Sequence, residues 1–280
     1  MIAYIESPLQ LLCAIEFHQS HKSVKTFFIR KSTNATDKQI EYILNKYSFL
    51  KINYSFISNL ELINIFSWIL FIGKNFYKKV LFGNDDSVIS YFFIRKTLSD
   101  DGTKTISIVE KNKSKKYWTF FNLYNLKTHS FEFFKDNFKT YDLATENSIY
   151  LIGQKLVEEK LLDKHTYMLI LKKIKSKYSN HSIYYFKHRG ENDVNLNEIK
   201  KIGFIIKSLD YPIEFHPIEQ KIMPSHIISF CSTALISLYE IYGLNFSYFT
   251  VNELIKKSNS KYNYVKIYEY LSIEGEQLTL

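Results

Sequence analysis

Glycine is scarce in this chain of 280 residues, with eight in all, and cysteine scarcer still, with two. No Walker loop, dinucleotide fingerprint or nucleophile elbow can be read anywhere along it, so the glycine-dependent phosphate and acyl chemistries have no motif to stand on. Cys13 and Cys231 lie far apart in apolar surroundings, which suits reduced, buried thiols rather than a disulfide framework and points to a cytoplasmic compartment. No dense group of Cys, His, Asp and Glu has metal-ligand spacing, so no metal is expected. A zinc-finger spacing, an aromatic RNA-binding signature and a compact basic helix are also missing, which argues against nucleic acid as a partner. The longest apolar stretch, residues 62–72, is about half the ~20 residues of a helical membrane span and reads as a buried or interfacial helix. Residues 1–5 run into Glu6 without the basic and long apolar regions of a secretory signal.

What is present is a large apolar fraction, 46%, rich in tyrosine (22) and phenylalanine (23), enough for one large or two medium domains. The formal net charge of +9 is spread over lysine pairs such as Lys78-Lys79, Lys115-Lys116, Lys172-Lys173 and Lys256-Lys257. Such a surface attracts an anionic membrane or an anionic substrate, or is simply well solvated. Short apolar runs at 2–6, 25–30, 51–57 and 79–83 read as strands, and amphipathic stretches at 8–20, 37–47, 60–73 and 86–97 as helices. Residues 106–109 look strand-like. A polar stretch around 111–148 interrupts the rhythm, and a helical run at 154–178 precedes a strand at 183–186. Then follow helix 195–207, strand-like 211–215, strand 227–230, helix 232–241, strand 245–250 and helix 252–257. This βαβ alternation predicts an α/β chain of two doubly wound halves, with ligands at the carboxyl ends of the strands.

Four polar clusters fall at such strand ends. Glu6-Ser7-Pro8-Leu9-Gln10 closes the first strand, where Ser7 can cap a helix and Pro8 can sit in its first turn. Asp100-Asp101-Gly102-Thr103 offers two adjacent carboxylates, one able to face a cleft as a base while the other anchors the turn; Asp-Asp-Gly is also an ordinary turn sequence. Lys187-His188-Arg189-Gly190-Glu191 follows a strong strand signal and supplies a histidine and a planar cationic fork suited to phosphate or carboxylate. Ser229-Phe230-Cys231-Ser232-Thr233-Ala234-Leu235 puts two hydroxyls at a helix start, as an anion site or as plain capping. Together these suggest a carboxylate base in one half and a phosphate cradle in the other.

The same residues carry a resemblance. Ser7-Pro8-Leu9-Gln10-Leu11-Leu12, Asp100-Asp101-Gly102-Thr103, Ile152-Gly153-Gln154-Lys155-Leu156-Val157-Glu158, His188-Arg189-x-Glu191, Pro212-Ile213-Glu214 and Ser229-Phe230-x-Ser232-Thr233-Ala234-Leu235 occur in the order seen in the alpha-2,8-polysialyltransferase-like family. That family is similar in motif to bacterial lipooligosaccharide sialyltransferases, and the resemblance spans about residues 2–240. It implies a GT-B-like glycosyltransferase: two Rossmann-like domains facing a central cleft, an acceptor-side domain at 1–150 and a CMP-sugar-binding domain at 151–280. The reaction it implies is inverting transfer of sialic acid, or a related nonulosonic acid, from a CMP-activated donor to a glycan hydroxyl of a bacterial surface polysaccharide or lipooligosaccharide, with no cofactor and no metal.

Carried onto this chain, the resemblance makes Asp101 the base, with Asp100 as its neighbour and the alternative for that role. His188 assists departure of the CMP phosphate, although the family's His-Pro pair occurs here at His216-Pro217, so His216 is the alternative. Ser232 and Thr233 bind the phosphate, Glu214 the ribose, and Arg189, Gly153 and Gln154 complete the donor side, while Ser7, Gln10 and Gly102 lie on the acceptor side. A glycolipid acceptor would place the protein in the cytoplasm, in peripheral contact with an anionic inner membrane. Two other readings stay open: a CMP-Kdo, pseudaminic or legionaminic acid transferase, and a non-catalytic nucleotide- or glycan-binding scaffold in polysaccharide assembly.

Overall fold

The computed structural model describes residues 1–57, 65–83, 85, 87–111, 115–258 and 262–278. The chain forms two compact units. One comprises Met1–Thr105, Asn112–Asp136 and Asp210–Pro212; the other comprises Ile106–Lys111, Asn137–Leu209 and Ile213–Leu280.

The first unit is built on six parallel strands. In chain order they are β1 (Ile2–Ile5), β2 (Thr26–Arg30), β3 (Tyr54–Ile57), β4 (Val80–Phe82), β5 (Lys96–Ser99) and β6 (Tyr117–Trp118), arranged β3-β2-β1-β4-β5-β6. Helices α1 (Pro8–His21), α2 (Asn34–Lys46), α3 (Ile65–Asn75), α4 (Lys104–Lys111) and α5 (Glu132–Phe138) belong to the same stretch of chain. β1 lies in the middle of the order and is buried at every residue, as a parallel strand covered on both faces must be. α1 follows at once because Ser7 is extended and accepts from the backbone N–H of Gln10, with Pro8 in the first turn. It ends at Lys22, left-handed at φ 50°, whose N–H closes on the carbonyl of His18.

The second unit repeats the plan. Its strands are β7 (Ala144–Ile152), β8 (Ser182–Phe186), β9 (Ile205–Lys207), β10 (Ile222–Ser229), β11 (Phe246–Tyr248) and β12 (Glu276–Gln277), all parallel, in the order β12-β11-β10-β7-β8-β9. Its helices are α6 (Lys164–Lys177), α7 (Asp193–Ile202), α8 (His216–Gln220), α9 (Thr233–Tyr242), α10 (Asn252–Lys256) and α11 (Tyr264–Glu274). Asp163, Asn192 and Ser232 cap α6, α7 and α9 through their side chains. In both units the strand order reverses next to the first strand, between β1 and β4 and between β7 and β10. Beside such a reversal, chains leave neighbouring strands toward opposite faces and open a crevice at the carboxyl edge.

Several sequence expectations need correction. Residues 106–109 are helical, within α4, because the turn at Gly102 starts a helix rather than a strand: Thr105 N–H already donates to the Gly102 carbonyl. The stretch 86–97 is not one helix but a short 3-10 turn at Val88–Phe92 leading into β5, with residue 86 outside the described residues. Of the helix expected at 60–73, residues 60–64 lie outside the described residues and α3 begins at Ile65. The run 154–178 is helical only from Lys164; turns at 156–162 precede it, and Asp163 supplies the start signal. Residues 195–207 divide at Gly203 into α7 and β9. The strand-like 211–215 is a 3-10 turn at Ile213–Phe215. β7 begins inside the polar stretch that interrupted the rhythm, because its first four residues are mostly exposed and only its second half is buried. Among the described residues no helix is long and apolar enough to cross a membrane.

Phe82, at the end of β4, has no exposed surface and packs its ring against Tyr4 and Phe93, at 5.3 and 5.5 Å between centroids. Phe82→Ala should lower the urea-measured unfolding free energy of this unit by about 3–5 kcal/mol. A loss below about 1 kcal/mol would contradict the packing described.

Candidate functional site

At the carboxyl edge of the first sheet one amide spans three strand ends. Gln10, in the first turn of α1, accepts from the backbone N–H of Glu6 at 2.7 Å and donates through Nε2 to Asp101 Oδ1 at 2.8 Å. Its stem lies over Gly83, the residue after β4, where an added Cβ would stand 2.1 Å from the Gln10 Cδ. Only a residue without a side chain leaves this path open. Gln10 thus ties the end of β1 to the end of β5 across the end of β4. Nearby Glu6 Oε1 pairs with Arg30 at 2.9 Å.

The two adjacent aspartates are placed oppositely. Asp100 is completely buried, its Oδ1 accepting from Thr119 Oγ1 at 2.6 Å and its Oδ2 from the backbone N–H of Phe120 at 3.0 Å. Burial pushes its carboxyl up to about 7, against the pull of those hydrogen bonds. Asp101 keeps 23% of its side chain exposed and is held by Gln10 and by Lys104, whose Nζ lies 3.6 Å from Oδ2. Its own N–H donates to Thr105 Oγ1 at 2.8 Å, and Gly102 turns the chain at φ 69°. Ser7 Oγ accepts from the Gln10 N–H as the cap of α1.

Beneath Asp100, the buried groups Cys13, Asp100 and His129 bring one ligand atom each within 4.8 Å of one another. The His129 ring stacks on Trp118, and its Nε2 stands 3.9 Å from Asp100 Oδ2. The sequence hid this grouping because Cys13, Asp100 and His129 come from distant segments that the fold brings together. Burial, then Lys127 and Lys135, holds the His129 imidazole down to about 3, so it is a neutral packed ring.

In the second unit the strand reversal is bridged by Gln154. Its Oε1 accepts from the backbone N–H of Cys231 at 2.9 Å and lies 3.4 Å from Ser229 Oγ, joining the ends of β7 and β10. Next to it, Gly153 leaves room for Glu191 and Tyr185: an added Cβ would stand 2.5 Å from Glu191 Oε2 and 2.6 Å from the tyrosine oxygen. Glu191 in turn fixes the loop after β8. It accepts from the backbone N–H of His188 at 2.6 Å and from the hydroxyl of Tyr185, while burial raises its carboxyl to about 7.

That loop decides the chemistry His188 can do. The backbone N–H of Gly190 donates to His188 Nδ1 at 3.0 Å, so Nδ1 carries a lone pair and the ring proton sits on Nε2. Burial, then Arg189 and Lys155, lowers the imidazole to about 4. The half-buried ring is thus a neutral Nε2–H donor near pH 7. Its folded form binds fewer protons than the unfolded one between about pH 4 and 6.5, so this group's contribution to stability falls as pH falls through that window.

The other expected residues lie around the same edge. Ser232 caps α9, accepting from Ala234 N–H at 3.3 Å, and Thr233 opens the helix; both are half-buried. Glu214 is buried, its Oε1 accepting from Ser237 Oγ of α9 at 2.6 Å. Burial raises its carboxyl, and the charge of exposed Arg189 counters that shift. His216, the alternative histidine, starts α8 and is buried against Phe186 and Tyr150, with ring centroids at 4.8 and 5.4 Å. A cavity of about 700 Å³ elsewhere in this unit is lined by α6 and α7 residues such as Lys172, Lys175 and Lys201, and by none of the candidate residues. Sequence reasoning missed Gly83 and Thr119, whose roles arise only from distant segments meeting, and Lys104, three residues beyond Asp101. The glycine ending β4 was the one visible hint.

No family model matches the chain, and no curated protein matches it. Among solved structures, the chain is similar to an alpha/beta-galactoside alpha-2,3-sialyltransferase from Photobacterium phosphoreum, with 13% identity over 98% of this chain and 97% of that one and a TM-score of 0.50. The chain has the GT-B fold. Weaker likenesses are to a sialyltransferase from Photobacterium damsela, 9% identical over 99% of this chain and 81% of that one with a TM-score of 0.49, and to an E. coli heptosyltransferase with ADP, 8% identical over 98% and 99% with a TM-score of 0.45. In GT-B terms, each Rossmann-type unit of this chain presents its polar cluster at the carboxyl edge of its sheet.

A pH titration of His188 by ¹⁵N NMR should show a neutral ring, protonated on Nε2, down to about pH 4. A midpoint near 6.5, or a proton on Nδ1, would contradict the loop geometry.

Proposed function

We propose that this protein is an inverting, metal-independent glycosyltransferase that moves a sialic acid, or a related nonulosonic acid, from a CMP-activated donor to a hydroxyl of a bacterial surface glycan. The observation that carries the reading is the division of labour between the two aspartates: Asp100 is buried and saturated, whereas Asp101 is partly exposed and aimed by Gln10. A carboxylate held by an amide and a lysine is fixed in direction, as a base must be to meet the proton it accepts. The GT-B fold and the ordered motifs support the same reading.

In the proposed reaction the bond between the anomeric carbon and the CMP oxygen breaks, and negative charge builds on the phosphate. His188 donates through Nε2–H to that phosphate, and Ser232 and Thr233 at the start of α9 donate to its other oxygens. A neutral donor suits this task, since it needs no proton of its own to give up. As the acceptor hydroxyl attacks the opposite face of the sugar, Asp101 takes its proton. Asp100 acts as the anchor, holding the loop from below through Thr119 and Phe120. Glu214, beside Arg189, binds the ribose hydroxyls. The acceptor is a glycan or glycolipid, and the enzyme works in the cytoplasm.

Asp101→Asn keeps an oxygen for Gln10 but removes the base. Its kcat should fall roughly 10²-fold or more while CMP affinity, measured by calorimetry, stays within about twofold. Turnover near that of the unaltered protein would refute the assignment of Asp101.

A further inference from the structure

Six of the fourteen large apolar side chains exposed among the described residues fall in two short segments of the first unit: Ile69, Leu70 and Tyr77, then Tyr91, Phe92 and Ile94. Ile94 and Tyr77 are exposed to 77% and 84%. The two segments are neighbours. Phe71 of α3 and Phe93, both buried, meet with ring centroids 6.0 Å apart, so the exposed residues on either side of each flank one contact. At the amino edge of the sheet, Val80 N–H donates to the Arg95 carbonyl at 2.9 Å, which brings the Tyr77–Lys79 end of one segment to the Ile94–Arg95 end of the other.

The exposed charges on the two segments are positive, and Asp85 between them is paired with Lys96 and Lys115. Lys74, Lys78, Lys79 and Arg95 are all exposed, and neither residues 65–82 nor residues 87–99 contain an aspartate or glutamate. A grouping of exposed apolar residues of this kind marks a surface that is covered in use. A second copy of the chain would oppose cation to cation there, and a polynucleotide would leave the isoleucines and phenylalanine without a partner. A bilayer with anionic headgroups meets both demands: aromatic rings sit at headgroup level, aliphatic side chains enter the acyl boundary, and lysines face the phosphates.

We propose that residues 69–79 and 91–95 form a docking surface for an anionic phospholipid bilayer. This gives the net positive charge a defined place of action and does not depend on which sugar is transferred or on whether any is. The Tyr77–Arg95 part lies at the amino edge of the sheet, opposite the carboxyl edge that carries Asp101, so docking there leaves Asp101 uncovered.

Flotation with vesicles of phosphatidylcholine alone, and with about one-third phosphatidylglycerol, tests it. The intact protein should float with the anionic vesicles only and release as salt rises. Lys78→Glu with Lys79→Glu should weaken binding by at least about fivefold per cation. Tyr91→Ser, Phe92→Ser and Ile94→Ser together should cost tenfold or more, with circular dichroism unchanged. Lys172→Glu with Lys173→Glu, the same charge change on exposed positions of α6, should bind like the parent. Failure of the parent to float, equal loss in the α6 variant, or a dimer in solution abolished by the patch substitutions would each overturn the proposal.

Discussion

Both halves of this protein depend on a side-chain amide that closes the gap where a parallel sheet reverses its strand order. At such a point neighbouring chains leave toward opposite faces, and the backbone groups at the strand ends have no ladder to join. Gln10 fills the gap after β1, passing over Gly83 to reach Asp101; Gln154 fills the gap after β7 and receives the Cys231 N–H. An amide is suited to the place because it donates and accepts at once without bringing charge. Its two contacts set where the following loop stands. In the first unit the consequence is the direction of Asp101. In the second it is the start of α9, where Ser232 and Thr233 stand.

Burial shapes the electrostatics around these loops more than ion pairing does. Asp100 and Glu191 are raised to about 7, while His188 and His216 are lowered to about 4. Carboxyls so raised cost stability as pH rises from about 4 to 7, because the unfolded chain ionises first; histidines so lowered cost stability as pH falls from 6.5 to about 4. The two slopes oppose each other over the same range, so the loops carry titratable groups without a steep net acid or base sensitivity. Asp101, partly exposed, and the half-buried His188 stand apart from the fully buried carboxyl of Asp100. That contrast underlies the proposed roles of base and phosphate donor.

Much of the first strand, the capped helix after it and the loop after β8 could be read from local letters. Four apolar residues, then Ser7-Pro8, leave little choice, and His188 follows an unbroken run of Ile, Tyr and Phe. β7 was illegible for the opposite reason: its exposed first half looks like loop, and its strand character comes from pairing with β8 and β10. Residues 106–109 have β-branched letters but sit one turn into a helix, where the contact at Gly102 outweighs propensity. The distinction between Asp100 and Asp101 could not be read from the local letters and came only as what the resemblance implies. Adjacent side chains in an extended stretch point to opposite sides, and which side is core is decided by Thr119 and Phe120, some twenty residues away.

The proposed activity is tested most directly by incubating the purified protein with a panel of activated sugars and measuring nucleotide release with and without glycan acceptors. The panel should hold CMP-linked nonulosonic acids beside UDP-, GDP- and ADP-linked hexoses and heptoses. The proposed chemistry predicts CMP release from one or more nonulosonic acid donors, raised by a glycan acceptor. Release confined to a nucleoside diphosphate sugar, or none from any CMP donor with every acceptor, would contradict it.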